Sequence, residues 1–153
     1  MAVTQASLNI ANLVPLRAIL FRLGINLNDA PELMETIAQY ALTQIKKRTL
    51  EGQDAEYRQF EPYSDRYAMF RREHGRPTGN VDLFFTGSMQ ASMTSDIGHN
   101  SVKLYFGNTR DKNNVRNPLK AYFLNQTRNF FALSESDVQG IVHLVEEYIQ
   151  SLF

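Results

Sequence analysis

The sequence contains no cysteine, which removes disulfides, cysteine-ligated zinc and thiol nucleophiles together. Such a chain fits synthesis in a reducing cytoplasm. Net charge is missing as well, because 16 Lys and Arg offset 16 Asp and Glu. A dedicated duplex binder carries a basic excess, since phosphate neutralisation dominates its affinity, so that class loses ground. Zero net charge also leaves little repulsion against self-association. Long apolar runs are absent too. The nearest is Leu8 to Leu23, broken by Pro15, Arg17 and Arg22 and shorter than the roughly 20 residues of a membrane span. No basic start or small-residue cleavage site frames it as a signal peptide. It reads as an amphipathic helix with Leu13, Leu16, Leu20 and Leu23 on one stripe.

What is present is ordinary for a folded protein. The 153 residues, 43% apolar and 21% charged, suit a single domain over 1–153 with a real core. Asp29-Ala-Pro-Glu32 supplies a cap, an early proline and a first-turn carboxylate. Met34, Ala38, Ala41 and Ile45, widened by Leu33 and Ile37, then predict a helix that Lys46, Lys47 and Arg48 close at its negative end. Ser64 caps a shorter helix with Tyr67, Phe70 and Arg71 on one face, ended by Gly75-Arg-Pro77. Asp82 to Met93 is ambiguous: Leu83-Phe-Phe85 suits a strand, whereas Thr86-Gly-Ser88 and the residues after it suit a short helix capped by Thr86, the reading favoured here. Val102, Leu104 and Phe106 alternate against Lys103 and Tyr105, and Met93, Ser95 and Ile97 supply a partner strand. Together they predict a β-hairpin around Gly98-His-Asn100. Pro118 to Asn125 predicts a short helix. Ser134-Glu-Ser-Asp137 opens a C-terminal amphipathic helix with Val138, Ile141, Val142, Val145, Ile149 and Leu152. The class is α+β, mostly helical with a small antiparallel sheet, with extended polar arms near 51–63 and 108–117.

Chemistry-bearing constellations are sparse. His74, His99 and His143 lie in separate segments without metal-ligand spacing. Gly75 and Gly79 lack the Lys-Ser/Thr of a phosphate loop. Ser88 lacks the second glycine of a nucleophile elbow and any placed His/Asp partner. The expectation is therefore no catalytic residue, no cofactor and no metal. Lys46-Lys-Arg48 and Arg71-Arg72 form two basic clusters that could touch nucleic acid, although helix-end electrostatics explains them more simply.

Two segments, holding three cassettes, carry a resemblance. Thr49-Leu-Glu-Gly-Gln-Asp-Ala-Glu-Tyr-Arg-Gln-Phe60 leads into Glu61-Pro-Tyr-Ser-Asp-Arg-Tyr67 and continues through Gly75-Arg-Pro77 to Val81-Asp-Leu-Phe-Phe-Thr-Gly-Ser-Met89; Arg128-Asn-Phe-Phe-Ala-Leu-Ser-Glu-Ser-Asp137 precedes the last helix. In order and spacing they resemble the phage virion-morphogenesis or tail-completion family, including the Mu-like neck proteins, over roughly Leu33 to Leu152. That family carries G-D-x-x-G-x-x-F-x-P-Y-S-x-x-Y, then D-L-x-x-T-G-x-M, then R-x-F-x-x-L-S-x-x-D. A glycine of the arm is replaced here, at Glu56-Tyr57, and the segment Met1–Asn28 has no counterpart.

The resemblance implies a structural virion protein of the head–tail neck, assembled in the host cytoplasm into a homo-oligomeric ring. Its implied partners are further copies, portal- or adaptor-side proteins and tail-tube or tail-terminator proteins, with passing contact to DNA in the lumen and none to membrane. A tail terminator or a head–tail connector is the near alternative, and a small nucleic-acid-binding module the distant one. Tyr57, Phe60, Tyr63, Tyr67, Arg128, Phe130 and Phe131 are the interface candidates, since aromatic and arginine side chains anchor interfaces. The aromatics of the arm equally suit pinning it to its own core. The polar arms can order on a neighbour, and a hairpin edge can pair across a ring contact.

Overall fold

The computed structural model describes the backbone of residues 5–9 and residues 22–24, 30–98 and 101–153. Its elements run β1 (Gln5–Asn9), α1 (Pro31–Leu50), α2 (Asp65–Glu73), α3 (Ser88–Ala91), β2 (Met93–Ile97), β3 (Ser101–Phe106), α4 (Asn117–Thr127) and α5 (Glu135–Ser151). The fold is α+β and mostly helical, as the sequence pattern predicts.

Helix α1 is organised by its apolar stripe. Leu33, Met34, Ile37, Ala38, Ala41, Leu42 and Ile45 are all buried, and burying each large side chain contributes about 1.5–3 kcal/mol. Its N-cap is Ala30, without a side-chain cap bond, and Pro31 opens the first turn; Asp29, the expected cap, lies outside the described residues. Helix α5 starts with the expected capping box, Ser134 with Asp137. It buries Ile141, Val145 and Ile149 against α1. Gly140 lets the two helices approach, because a Cβ there would overlap the Tyr40 phenol. Leu152, expected on this stripe, is instead an exposed cap residue.

The predicted hairpin forms in the expected register, with Met93, Ser95 and Ile97 opposite Phe106, Leu104 and Val102. Val102, Leu104 and Phe106 are buried, and α1 covers both strands. The sheet gains a strand that the sequence pattern missed. β1 pairs antiparallel with β3, placing Ala6 opposite Leu104 and Leu8 opposite Val102, so the sheet order is β1-β3-β2. The helix expected from Leu8 to Leu23 is thus corrected at its start, since Leu8 and Asn9 are strand. Residues 10–21 lie outside the described residues.

The one-turn helix α3 begins at Ser88, but its N-cap is Gly87 at φ 83°, and Met93 belongs to β2. Thr86 contributes only a long bond to the Ser88 amide, 3.4 Å.

Both expected arms are closed loops. Over 51–63, Gln53 bridges Gln59, and the Phe60 amide donates to the Gly52 carbonyl at 2.8 Å. The Asp54 carboxylate accepts from the Glu56 and Arg58 amides at 2.8 and 2.9 Å. Gly52, at φ 79°, passes too close to Val81 and Asn80 for a side chain. Over 108–117, Arg110 bridges Arg116, and Asp111 accepts from the Asn113 and Val115 amides at 2.9 and 3.0 Å. A short acidic side chain that satisfies its own loop's amides holds the chain in a turn without any strand partner.

Candidate functional site

One arginine of each basic cluster is buried. Arg48 is buried, and its Nη1 donates to Asp137 Oδ2 at 2.7 Å across 89 residues of chain. Its Nη2 donates to the Ala132 carbonyl. The same carboxylate oxygen accepts the Ser134 amide at 2.8 Å, so one aspartate serves both the helix cap and the cation. Tyr57 lies beneath the guanidinium, 5.8 Å from ring centre to Cζ, with its hydroxyl 3.3 Å from Ser134 Oγ. Hydrogen bonding with Ser134 and Ser136 lowers the Tyr57 phenol below its ordinary value, against burial. Tyr57 holds this place at φ 61°, a left-handed conformation unfavourable for a bulky residue.

Arg71 is the second buried cation. Its Nη2 donates to Asp82 Oδ1 at 3.2 Å and its Nε to the Pro77 carbonyl at 3.0 Å. Its Cζ sits 4.6 Å from the Tyr63 ring centre and 5.9 Å from those of Tyr67 and Phe85. Burial pushes the Tyr63 phenol up, with Arg71 acting against it and Asp82 with it. The Tyr63 hydroxyl accepts the Leu83 amide at 3.3 Å, and Gln90 Nε2 donates to the Leu83 carbonyl at 2.7 Å. These bonds hold Leu83, buried, at φ 52°.

Arg48 and Arg71 are therefore corrections to the expected basic surface. A guanidinium enclosed at a joint cannot reach a phosphate. Lys47 and Arg72 are exposed and Lys46 is half-buried. The interface candidates divide the same way. Phe60, Phe130 and Phe131 are core residues, and Phe131 packs 4.6 Å from Phe106; they are withdrawn as contact residues. Tyr57 and Tyr67 are exposed, while Tyr63 and Arg128 are half-buried.

Tyr63, Tyr67 and Arg128 meet at a groove of about 750 Å³ between the aromatic face of α2 and helix α4. Leu83, Met89 and Leu124 line it, with Tyr63, Tyr67, Phe70 and Phe85 on one side and Val115, Leu119 and Phe123 on the other. The rings brace one another: Tyr67 stacks on Phe70 at 5.9 Å and Phe70 on Phe85 at 5.5 Å. Much of this surface meets solvent, with Tyr67 38%, Phe70 42% and Phe123 59% exposed. Two cations line it and two more lie beside the Phe85 ring. Lys120 pairs with Asp111, Arg128 lines the groove, and Arg76 and Lys112 each lie 5.6 Å from the Phe85 ring centre. Such a surface can take apolar side chains and carboxylates. Sequence reading missed Phe85, Val115 and Phe123, which lie in segments with no shared local signal.

Ser88 Oγ accepts from Asn117 Nδ2 at 2.8 Å. His74 rests on Phe70, 4.2 Å between ring centres, with Nδ1 2.7 Å from the Phe70 carbonyl. His143 faces Glu147 at an exposed site; His99 lies outside the described residues. Among the described residues no three His, Asp or Glu side chains gather as a metal site, and no helix is long and apolar enough to cross a membrane. No protein-family model, curated protein or solved structure matches this chain.

Proposed function

We propose that the chain is a non-enzymatic structural protein of a bacteriophage virion, acting at the head–tail neck in tail completion or head–tail joining, as a homo-oligomeric ring. One observation carries the reading. The three cassettes that resemble the phage family converge in two buried arginine–aspartate joints, and Tyr57 takes φ 61° within Glu56-Tyr57, the place in the arm where that family has a glycine. Glycine is the residue expected where φ is positive, so the family pattern and this backbone ask for the same conformation. The groove supports the same reading, because exposed aromatic surface rimmed by charge suits a protein partner. Enclosure of Arg48 and Arg71 removes two of the five cations on which a nucleic-acid module would depend.

Light scattering and negative-stain imaging test this, with the chain alone and with the portal and tail-tube proteins of its phage. Ring-shaped oligomers incorporated between head and tail are expected. Monomers under both conditions overturn the proposal. Retention on duplex DNA that weakens steeply with salt would favour the nucleic-acid module instead.

A further inference from the structure

The neutral chain is polar in its charge distribution. From residue 129 to residue 153 there is no Lys or Arg. Asp137 in this stretch is neutralised by Arg48, and Glu135 sits in the first turn of α5. Glu146 and Glu147 are exposed near its other end, beside His143 at 4.0 and 3.3 Å. The last turns of α1 and α2 carry Lys47 and Arg48, and Arg71 and Arg72, whereas that of α5 carries no basic residue. The negative end of its macrodipole is therefore uncompensated, and the two glutamates add to it. Beyond it stand Leu152, 49% exposed, and Phe153, 86% exposed. An acidic pole thus carries two unburied apolar side chains.

The groove is the complement. It is largely apolar within, and among the described residues Lys120 is the one of its nearby cations paired with a carboxylate, Asp111. Arg128 has no ion-pair partner among the described residues, and its buried Nε lacks a hydrogen-bond acceptor. Helix α5 contributes no residue to the groove, so donor and acceptor surfaces are separate parts of the molecule.

We propose that the groove of one copy receives Leu152 and Phe153 of a second copy, with Glu146 and Glu147 facing Arg128, Lys112 and Arg76. The volume lies within the roughly 300–1,000 Å³ of sites that enclose compact ligands, room for both side chains. The contact is heterologous, so each copy offers one groove and one helix end, and repetition closes into a ring where the rotation permits. The inference rests on the ring reading and names its contact.

The absence of native cysteine makes a clean test. Full-length F123C and F153C chains, both altered at exposed positions, are checked for folding by circular dichroism, mixed and oxidised. Mass spectrometry should find 123–153 disulfides in at least about tenfold excess over 123–123 and 153–153, an excess that charge reversal in E146K/E147K removes, as expected for loss of a contact anchor. V115C mixed with L152C provides a second pair should either first variant misfold. Oligomeric rings without the 123–153 link overturn this contact and leave the ring reading standing. The link without closed rings supports the contact and overturns the ring. Monomers without the link overturn both.

Discussion

The two buried arginines are built from the same parts and do different work. Each stands in the last turn of a helix, pairs with an aspartate from a later segment, lies against tyrosine, and has a left-handed non-glycine residue nearby, Tyr57 or Leu83. Around Arg48 the pair is closed, with both side chains at most 3% exposed, and it ties α1 to the start of α5. Around Arg71 the aspartate is 19% exposed, and the aromatic rings continue outward as the wall of the groove. One joint closes its ion pair and carries a single exposed ring, Tyr57, whereas the other carries several rings that line a groove. What separates the two is therefore the enclosure of the carboxylate and the number of rings that run outward from it.

The largest expected effect is at the closed joint. Asp137→Ala strands a buried guanidinium and removes the α5 capping box together, so urea unfolding should show a loss of about 3–5 kcal/mol. Arg48→Met combined with Asp137→Ala should recover part of it, because no charge is left enclosed. A loss below about 1 kcal/mol for Asp137→Ala, the level of an exposed pair, would mean that water reaches the joint.

The open joint should lose less. Asp82→Ala leaves Arg71 beside a carboxylate position that solvent already touches, and it removes an acceptor for the Phe84 amide at 3.0 Å. A loss of about 1–3 kcal/mol is expected. A loss equal to that at Asp137 would erase the distinction between the two joints.

Tyr57 separates conformational strain from contact. Tyr57→Ala and Tyr57→Gly both lose the Ser134 bond and the packing on Arg48. Only glycine relieves the left-handed backbone, which costs an L-residue about 1–2 kcal/mol. The glycine variant should therefore unfold at the higher denaturant concentration, and the reverse order would show that this position does not require positive φ in solution.

The elements were legible where a local pattern decides them. Alternation from Val102 to Phe106 specifies the hairpin register, because a slip by one residue would expose the whole apolar face. The Ser134–Asp137 spacing specifies the α5 cap. Burial of the arginines was not legible. A cation in a helix's last turn looks the same whether it faces water or a distant carboxylate, and the partners lie 89 and 11 residues away. Phe60, Phe130 and Phe131 misled for the same reason, since aromatic density near a loop does not distinguish core from contact. β1 was hidden by its neighbours: the leucine stripe after it has helical period, and its pairing partner is β3, far along the chain. The groove was half legible, with Tyr63, Tyr67 and Arg128 marked, while Val115 and Phe123 join them only through the packing of α4.

The smallest effect compares the loops beside the two regions, each turned around one aspartate. Burial alone would raise the Asp54 carboxyl, but the Arg58 and Glu56 amides and the Arg58 side chain prevail and hold it below 3.8. The Lys120 hydrogen bond leads in lowering Asp111, joined by the Val115 amide. A carboxyl whose folded value is depressed stabilises the fold above its unfolded value, and that contribution is lost as pH falls through the folded value. Unfolding free energy should therefore decline as pH drops below about 3.8, and Asp54→Asn should flatten the decline. Asp111→Asn should flatten it as well, and high salt should weaken the Asp54 effect more than the Asp111 effect, because the Asp54–Arg58 pair is the more exposed, 12% and 66% against 8% and 33% for Asp111 and Lys120. If high salt weakened the Asp111→Asn effect more than the Asp54→Asn effect, the groove-side loop would be held by the better-screened pair, and side-chain exposure would not set how the two loops respond.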